Sequence, residues 1–189
     1  MLGKNDLLNT MYERDSKTKA YIIKTRIDEY SSLFNDLDPS PLRKRDIDQD
    51  FFSYLDEASS DIPLRSHIVL HIQLPLKVKD SNQEDRVKAG LSTYYNFQLL
   101  TMNRQISGSY KNFASYLVIA FCSLFIAFYL GSIISDSFIE KTLVEGFYIG
   151  GWVFFWEALV VLAFKTRDLR DSSKRLKRIV KSGIHFFYE

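Results

Sequence analysis

Glu157 is the residue whose type and place carry the most chemistry, because it is the one charge within residues 146–164, a run otherwise apolar. A carboxylate near the middle of a membrane helix costs about 3 kcal/mol on insertion-based scales, so it should face protein or water and not lipid. At 100° per residue it falls about 20° from Gly150 around a helix, with Gly146 close to the same line. Gly146-x-x-x-Gly150 is a small-residue contact pattern that lets two helix backbones approach closely. The preceding apolar run offers a matching face in Ala120, Ser123, Ala127 and Gly131. Two roles for the acid follow. It lines a pore or senses protons among several copies, or it is a protonated carboxyl hydrogen-bonded to Ser123 or a tyrosine inside one helix pair. Tyr148, Trp152, Phe154, Phe155 and Trp156 make the same run unusually aromatic. Trp156 is too central for an interfacial belt, so packing between helices is its expected role.

A second group of candidates is basic. Lys165, Arg167, Arg170, Lys174, Arg175, Lys177, Arg178 and Lys181 follow the second apolar run. Near an anionic lipid surface each such residue contributes about 1 kcal/mol of attraction, which makes lipid head groups the expected partner. Nucleic acid fits less well, since the stretch interleaves no aromatics and the net charge of the chain is only +2.

The other arrangements that could do chemistry fail on spacing. Asp46-x-Asp48-x-Asp50, with Glu57 at the twelfth position, has the outline of a calcium loop. The sixth position of such a loop must turn sharply and is glycine, whereas here it is Phe51. Acids at a helix N-terminus explain the same residues. His67 and His71 lie four residues apart in an alternating segment, about 13 Å along a strand and too far to share a metal. Arg65 and His71 have the loose spacing found in some ribonucleases, where the pair sits on a helix; this segment reads as strand. No serine or cysteine has a nucleophile's setting, and no glycine-rich phosphate loop is present. Neither an enzyme nor a cofactor nor a metal is expected. The single cysteine, Cys122, excludes an internal disulfide and a cysteine metal site.

The elements that must position these residues follow from pattern. Residues 113–135 carry no charge and residues 146–164 carry one, and each run is long enough for a hydrocarbon core of roughly 30 Å. A chain of 189 residues cannot bury two such helices in its own core. They are predicted to form an antiparallel transmembrane hairpin joined by a polar loop over 136–145. Arg104 and Lys111 before the first run and the basic stretch after the second place both flanks inside, with the acidic loop outside. The polar start, residues 1–10, lacks a signal-peptide core and is expected in the cytosol.

Outside the hairpin, Ile23, Ile27, Tyr30 and Phe34 recur at helical spacing, and Ile47, Phe51 and Leu55 predict a second helix over about 46–58. Residues 66–78 alternate apolar with mixed side chains as a strand does, and Pro75 assigns its end to an edge or bulge. Ser81 with Glu84 matches a capping box opening a helix towards the bilayer, interrupted around 107–109. A basic helix over 168–181 stops at Gly183 and leads into a short aromatic strand, 184–189. The expected architecture is therefore an α-helical membrane protein with a small α+β cytoplasmic domain of N-terminal helices and two paired strands. Its regions are 1–112, the hairpin 113–164, and 165–189.

The hairpin 113–164, its basic inner flank and a cytosolic region without catalytic motifs resemble the small two-helix transmembrane effectors of bacterial anti-phage systems, including those linked to retrons and nucleotide-signalling defences. The resemblance lies in layout over the second half of the chain. It implies an inner-membrane homo-oligomer that permeabilises or depolarises the membrane when a cytosolic partner or ligand triggers it. The alternatives are an anchor or adaptor that docks a soluble partner through residues 5–78, and a membrane-bound nuclease using Arg65 and His71.

Overall fold

A computed structural model of the chain describes residues 4–133 and 138–189. The elements run α1 Lys4–Met11, β1 Tyr21–Arg26, α2 Gln49–Asp61, β2 Ile68–Leu74, α3 Ser81–Ile133, α4 Phe138–Val160, a π-helical turn Val161–Lys165, α5 Thr166–Val180 and β3 Gly183–Tyr188. They divide into two compact units. The first holds Met1–Thr101 with Ser172–Glu189, and the second holds Met102–Asp171.

The first unit is built on a three-stranded parallel sheet in the order β1-β2-β3. Parallel neighbours require long crossovers. Between β1 and β2 the crossover contains α2; between β2 and β3 it is the whole of α3, α4 and α5. Ile68, Leu70, Ile72 and Leu74 of β2 are all buried, as their alternation predicts. Phe51 and Leu55 of α2, Val87 and Leu91 of α3, and Leu176 and Ile179 of α5 are buried as well, and Leu55, Leu91 and Ile179 line one cleft with Leu70. Asp48 caps α2, its Oδ1 accepting from the backbone N–H of Asp50 and Phe51 at 3.0 Å each.

The strand count differs from the expected two. The segment read as a first helix is β1, followed by a short 3-10 turn, Tyr30–Leu33. Ile23, Ile27, Tyr30 and Phe34 do fall at helical intervals, but Tyr21-Ile22-Ile23 is a contiguous run of one aromatic and two β-branched residues that suits a pleated surface covered on both sides. β2 is consequently the central strand and not an edge. Pro75 sits one residue beyond it, and Leu76–Val78 is a 3-10 turn where strand was expected.

Helix boundaries shift for local reasons. Asp80, not Ser81, caps α3, with Oδ1 accepting from Asn82 N–H at 2.8 Å. Glu84 then is not a capping-box partner; it accepts a hydrogen bond from the Tyr188 hydroxyl, which pairs in turn with Tyr30 at 2.7 Å. α3 runs unbroken through 107–109, as no proline follows Pro75 in the chain. Gly183 is not a left-handed helix cap, since no glycine among the described residues has positive φ; it is the first residue of β3. Gly90 has a packing role instead: a Cβ there would stand 2.4 Å from the Leu42 carbonyl oxygen.

The polar connection is shorter than 136–145. α4 already begins at Phe138, so Glu140, Lys141 and Glu145 are helical, with Glu140 in the first turn where the helix dipole favours it. Asp136, together with the last residues of the run 113–135, lies outside the described residues.

Candidate functional site: the helical hairpin

In the second unit α3 and the α4–α5 helix pack antiparallel along small residues. Ala120 and Ala127 of α3 and Ala158 of α4 are fully buried. The Ser123 hydroxyl donates to the Phe147 carbonyl at 2.8 Å, and a Cβ on Gly150 would lie 3.7 Å from the Ser123 oxygen. Gly131 faces Val144 at 3.6 Å in the same sense. The tightest contact is at Gly151, which the glycine pattern did not mark. A Cβ there would meet Leu124 at 2.7 Å and the Ala120 carbonyl oxygen at 3.2 Å. Gly146 has nothing within 4 Å and takes no part in this packing. At 100° per residue the two lie about 140° apart around the helix, so Gly151 and not Gly146 meets α3.

At the other end of the hairpin α4 gives way to the π-helical turn Val161–Lys165. The Thr166 hydroxyl donates to the Val161 carbonyl at 3.0 Å and pairs with Ser109 at 2.8 Å. Both hydroxyls are buried. Ser109 thus serves as a polar clasp within α3 and not as a helix interruption. π-turns are rare and mark places where a helix is locally re-aimed.

The outward face is the informative one. The most apolar stretches of α3 and of the helix beginning at Phe138 are only 11% and 17% buried. A core helix of a water-soluble protein would be mostly covered. Phe121, Phe125 and Phe128 of α3 and Trp152 and Trp156 of α4 are exposed. The two tryptophans are therefore not covered within the hairpin, where packing between helices was expected; Trp152 meets Phe155 edge-on at 5.7 Å. Glu157 is exposed as well, so the reading that buried it against Ser123 is corrected: Ser123 bonds to Phe147 instead. Glu157 lines a groove of about 950 Å³ with Gly131, Glu145, Tyr148, Trp152 and Trp156. Glu157 and the two indoles thus share one uncovered, largely apolar surface.

The basic residues divide. Arg167, Arg170, Lys174 and Lys177 are exposed, with Arg170 also over the Tyr110 ring at 5.6 Å. Arg175 and Arg178 turn inward. Arg175 lies 3.5 Å from Asp56, and Arg178 donates to the carbonyls of Ile62 and Pro63 at 3.1 and 2.8 Å. These two hold α5 to α2 and are corrected from head-group contacts to internal clamps. The amphipathicity of α5 decides the split, because one helical stripe must face the sheet.

His71 meets His185, its partner across β2 and β3, with ring centroids 5.8 Å apart. The sequence paired His71 with His67 along one strand and missed this neighbour, since β3 reaches it only through strand register. Burial first, then His185 and Lys24, lower the pKa of His71 below 6.5; Asp15 and Glu13 oppose this more weakly. The folded protein thus favours the neutral ring. That contribution is complete above the ordinary value of 6.5 and is lost as pH falls through the lower folded value. The sheet should therefore weaken as the pH falls below about 6.5. His71→Gln should flatten the dependence in hydrogen exchange of the β2 amides, and an unchanged slope would discount His71.

No protein-family model matches the chain, and no curated protein or solved structure is detectably similar to it. The geometry alone therefore has to carry a functional reading.

Proposed function

We propose that the chain is a membrane-embedded effector whose hairpin crosses the inner membrane and assembles with other copies to depolarise it, in the manner of abortive anti-phage defence. One observation carries this reading: the hairpin turns most of its large aromatic and aliphatic side chains outward, and what it buries is small, Ala120, Ala127, Gly151 and Ala158, with Val161 at the π-turn. Water would not tolerate that surface, whereas lipid or a second hairpin would. Both termini are then cytoplasmic, because the basic residues at 104, 111 and 165–181 flank the two spans on one side. Exposed to lipid alone, the Glu157 carboxylate would cost about 3 kcal/mol, which favours association that covers it or leads water to it. Two helices enclose no pore, so the active form is an oligomer.

Induced expression in a bacterial host, with a potential-sensitive dye, tests this. Wild type should depolarise cells once its trigger is supplied. Glu157→Gln should slow the loss by about tenfold, equivalent to roughly 1.4 kcal/mol. Intact potential in triggered wild-type cells would rule the reading out.

A second reading, an adaptor docking a soluble partner, is favoured by the sheet face opposite the helices, which carries His71, His185 and the half-exposed Phe187. Exchanging the hairpin for an unrelated anchor separates the two: retained function supports the adaptor and lost function the effector.

A further inference from the structure

Within the first unit a cleft of about 230 Å³ opens between α2, α3, the end of α5 and the sheet. Its walls are Leu55, Leu70, Leu91, Ile179 and Ile184. Protein interiors hold few voids larger than a water molecule, and an apolar cavity of about 150 Å³ already accepts benzene. Drug-sized ligands occupy pockets of about 300–1,000 Å³, so this cleft suits a smaller body, of the size of two fused rings.

Its polar groups are few and of one sign. Lys88 stands at the rim, half exposed, and its contact with Glu84 is long, 3.8 Å. An exposed pair at that distance contributes little, and the ammonium otherwise sits over the Phe186 ring at 5.4 Å, a weak contact that leaves its charge able to meet an anion. Glu84 is itself engaged by the Tyr188 hydroxyl. Ser92 lines the cleft beside Lys88, one turn along α3; its oxygen accepts from Asn96 at 3.2 Å, which leaves its proton to donate. Ser182 lines the opposite side and donates to the Ile179 carbonyl at 2.7 Å. Tyr95, 3% exposed, also lines the cleft, and its hydroxyl has no hydrogen-bond partner among the described residues. A buried donor left unpaired is costly and invites an acceptor.

We propose that this cleft binds a small carboxylate with an apolar body, the acid group at Lys88 and Ser92 and the body against Leu55, Leu70, Leu91, Ile179 and Ile184. The ligand would touch α3 and α5 together, and these helices continue without a break into the hairpin. Such a ligand is placed to bias the two stems, and its use as the trigger rests on the effector reading above. Its occupancy does not.

The test is titration of the full-length protein in phosphatidylcholine nanodiscs with 2-naphthoate, against empty nanodiscs as the blank for lipid partitioning. Wild type should bind saturably, one ligand per chain. The neutral 2-naphthamide should bind about tenfold more weakly or worse, and so should 2-naphthoate to Lys88→Gln. Ser92→Phe, at an exposed position where a ring can fill the cleft without entering the core, should abolish binding. Hydrogen exchange of the β2 amides establishes that each variant is folded. Absence of saturable binding above the blank overturns the proposal, as does equal affinity for the amide, or unchanged affinity in either folded variant. Because no membrane flux is read, failure here is separable from failure of the depolarisation assay.

Discussion

Replacing Arg178 by methionine is expected to loosen the sheet unit by about 1–3 kcal/mol, the range for leaving part-buried acceptors without their donor. The reason lies at the C-terminus of α2. That helix ends at Asp61 with no basic residue in its last turn, and its final carbonyls need donors from elsewhere. Arg178 supplies them from α5. One guanidinium nitrogen donates to Ile62 and Pro63, and the other to the Ser59 hydroxyl at 2.8 Å and the Ser59 carbonyl. Its charge also lies where the helix dipole is negative. Burial, and then Arg175, lower its pKa, but an arginine stays charged at any physiological pH. Methionine keeps the stem and deletes the fork, leaving several acceptors unpaired. Arg178→Lys keeps the charge but not the planar geometry, and should fall between the two. Lys177→Met, on the exposed face of the same helix, should change stability by no more than about 0.5 kcal/mol. Hydrogen exchange across α2 and β2 in the full-length protein reads the difference. If the variants at 177 and 178 behave alike, Arg178 is not a clamp.

The second large effect is expected in the hairpin. Gly151→Val should weaken the pairing of α3 with α4 by about 3 kcal/mol, whereas Gly146→Val should be close to neutral. Both substitutions place the same β-branched side chain in the same helix, so intrinsic helix propensity cancels in the comparison. What differs is the neighbour. At Gly151 the first added carbon would already stand 2.7 Å from Leu124, with the Ala120 backbone oxygen 3.2 Å away. The side chain could rotate aside, but the backbone oxygen could move only if the helices separated. Thermal melting in detergent, followed by Trp152 and Trp156 fluorescence, should show a Tm lower by roughly 10 °C or more at about 4–8 °C per kcal/mol. Equal melting of the two variants would mean that Gly151 is not the contact. Gly146 is open on this surface, and on the proposed effector reading Gly146→Val should spare melting while reducing oligomer formation.

Much of this architecture was legible from residue order. Two apolar runs, the alternation in β2, the helix from Ser81 and the basic helix near the C-terminus are local signals, and each appears as an element close to its expected place. The pairing of β2 with β3 was legible too, because a strand and helix lead into the hairpin and a helix and strand lead out. β1 was misread because four apolar residues at helical intervals look alike whether a segment winds or extends. Only the presence of β2 alongside makes extension favourable.

The candidate site divides in the same way. Glu157 stands out because a lone acid in an apolar run is costly anywhere, whatever surrounds it. Which way it faces depends on helix phase: α4 meets α3 at Gly151, which at 100° per residue lies about 140° around the helix from Gly146 and about 120° from Glu157, so the acid is left outside. Arg178 could not be told from Lys177 by sequence, for the carbonyls it serves lie more than a hundred residues earlier in the chain. By itself, then, the sequence determined that two long apolar helices exist, where they lie and that one carries a carboxylate, since hydrophobicity and charge belong to the residues. Tertiary structure decided the partners: a third strand, an arginine turned inward, two histidines brought side by side, and a cleft between helices. Each of these depends on distances between residues remote in sequence, and only folding sets those distances.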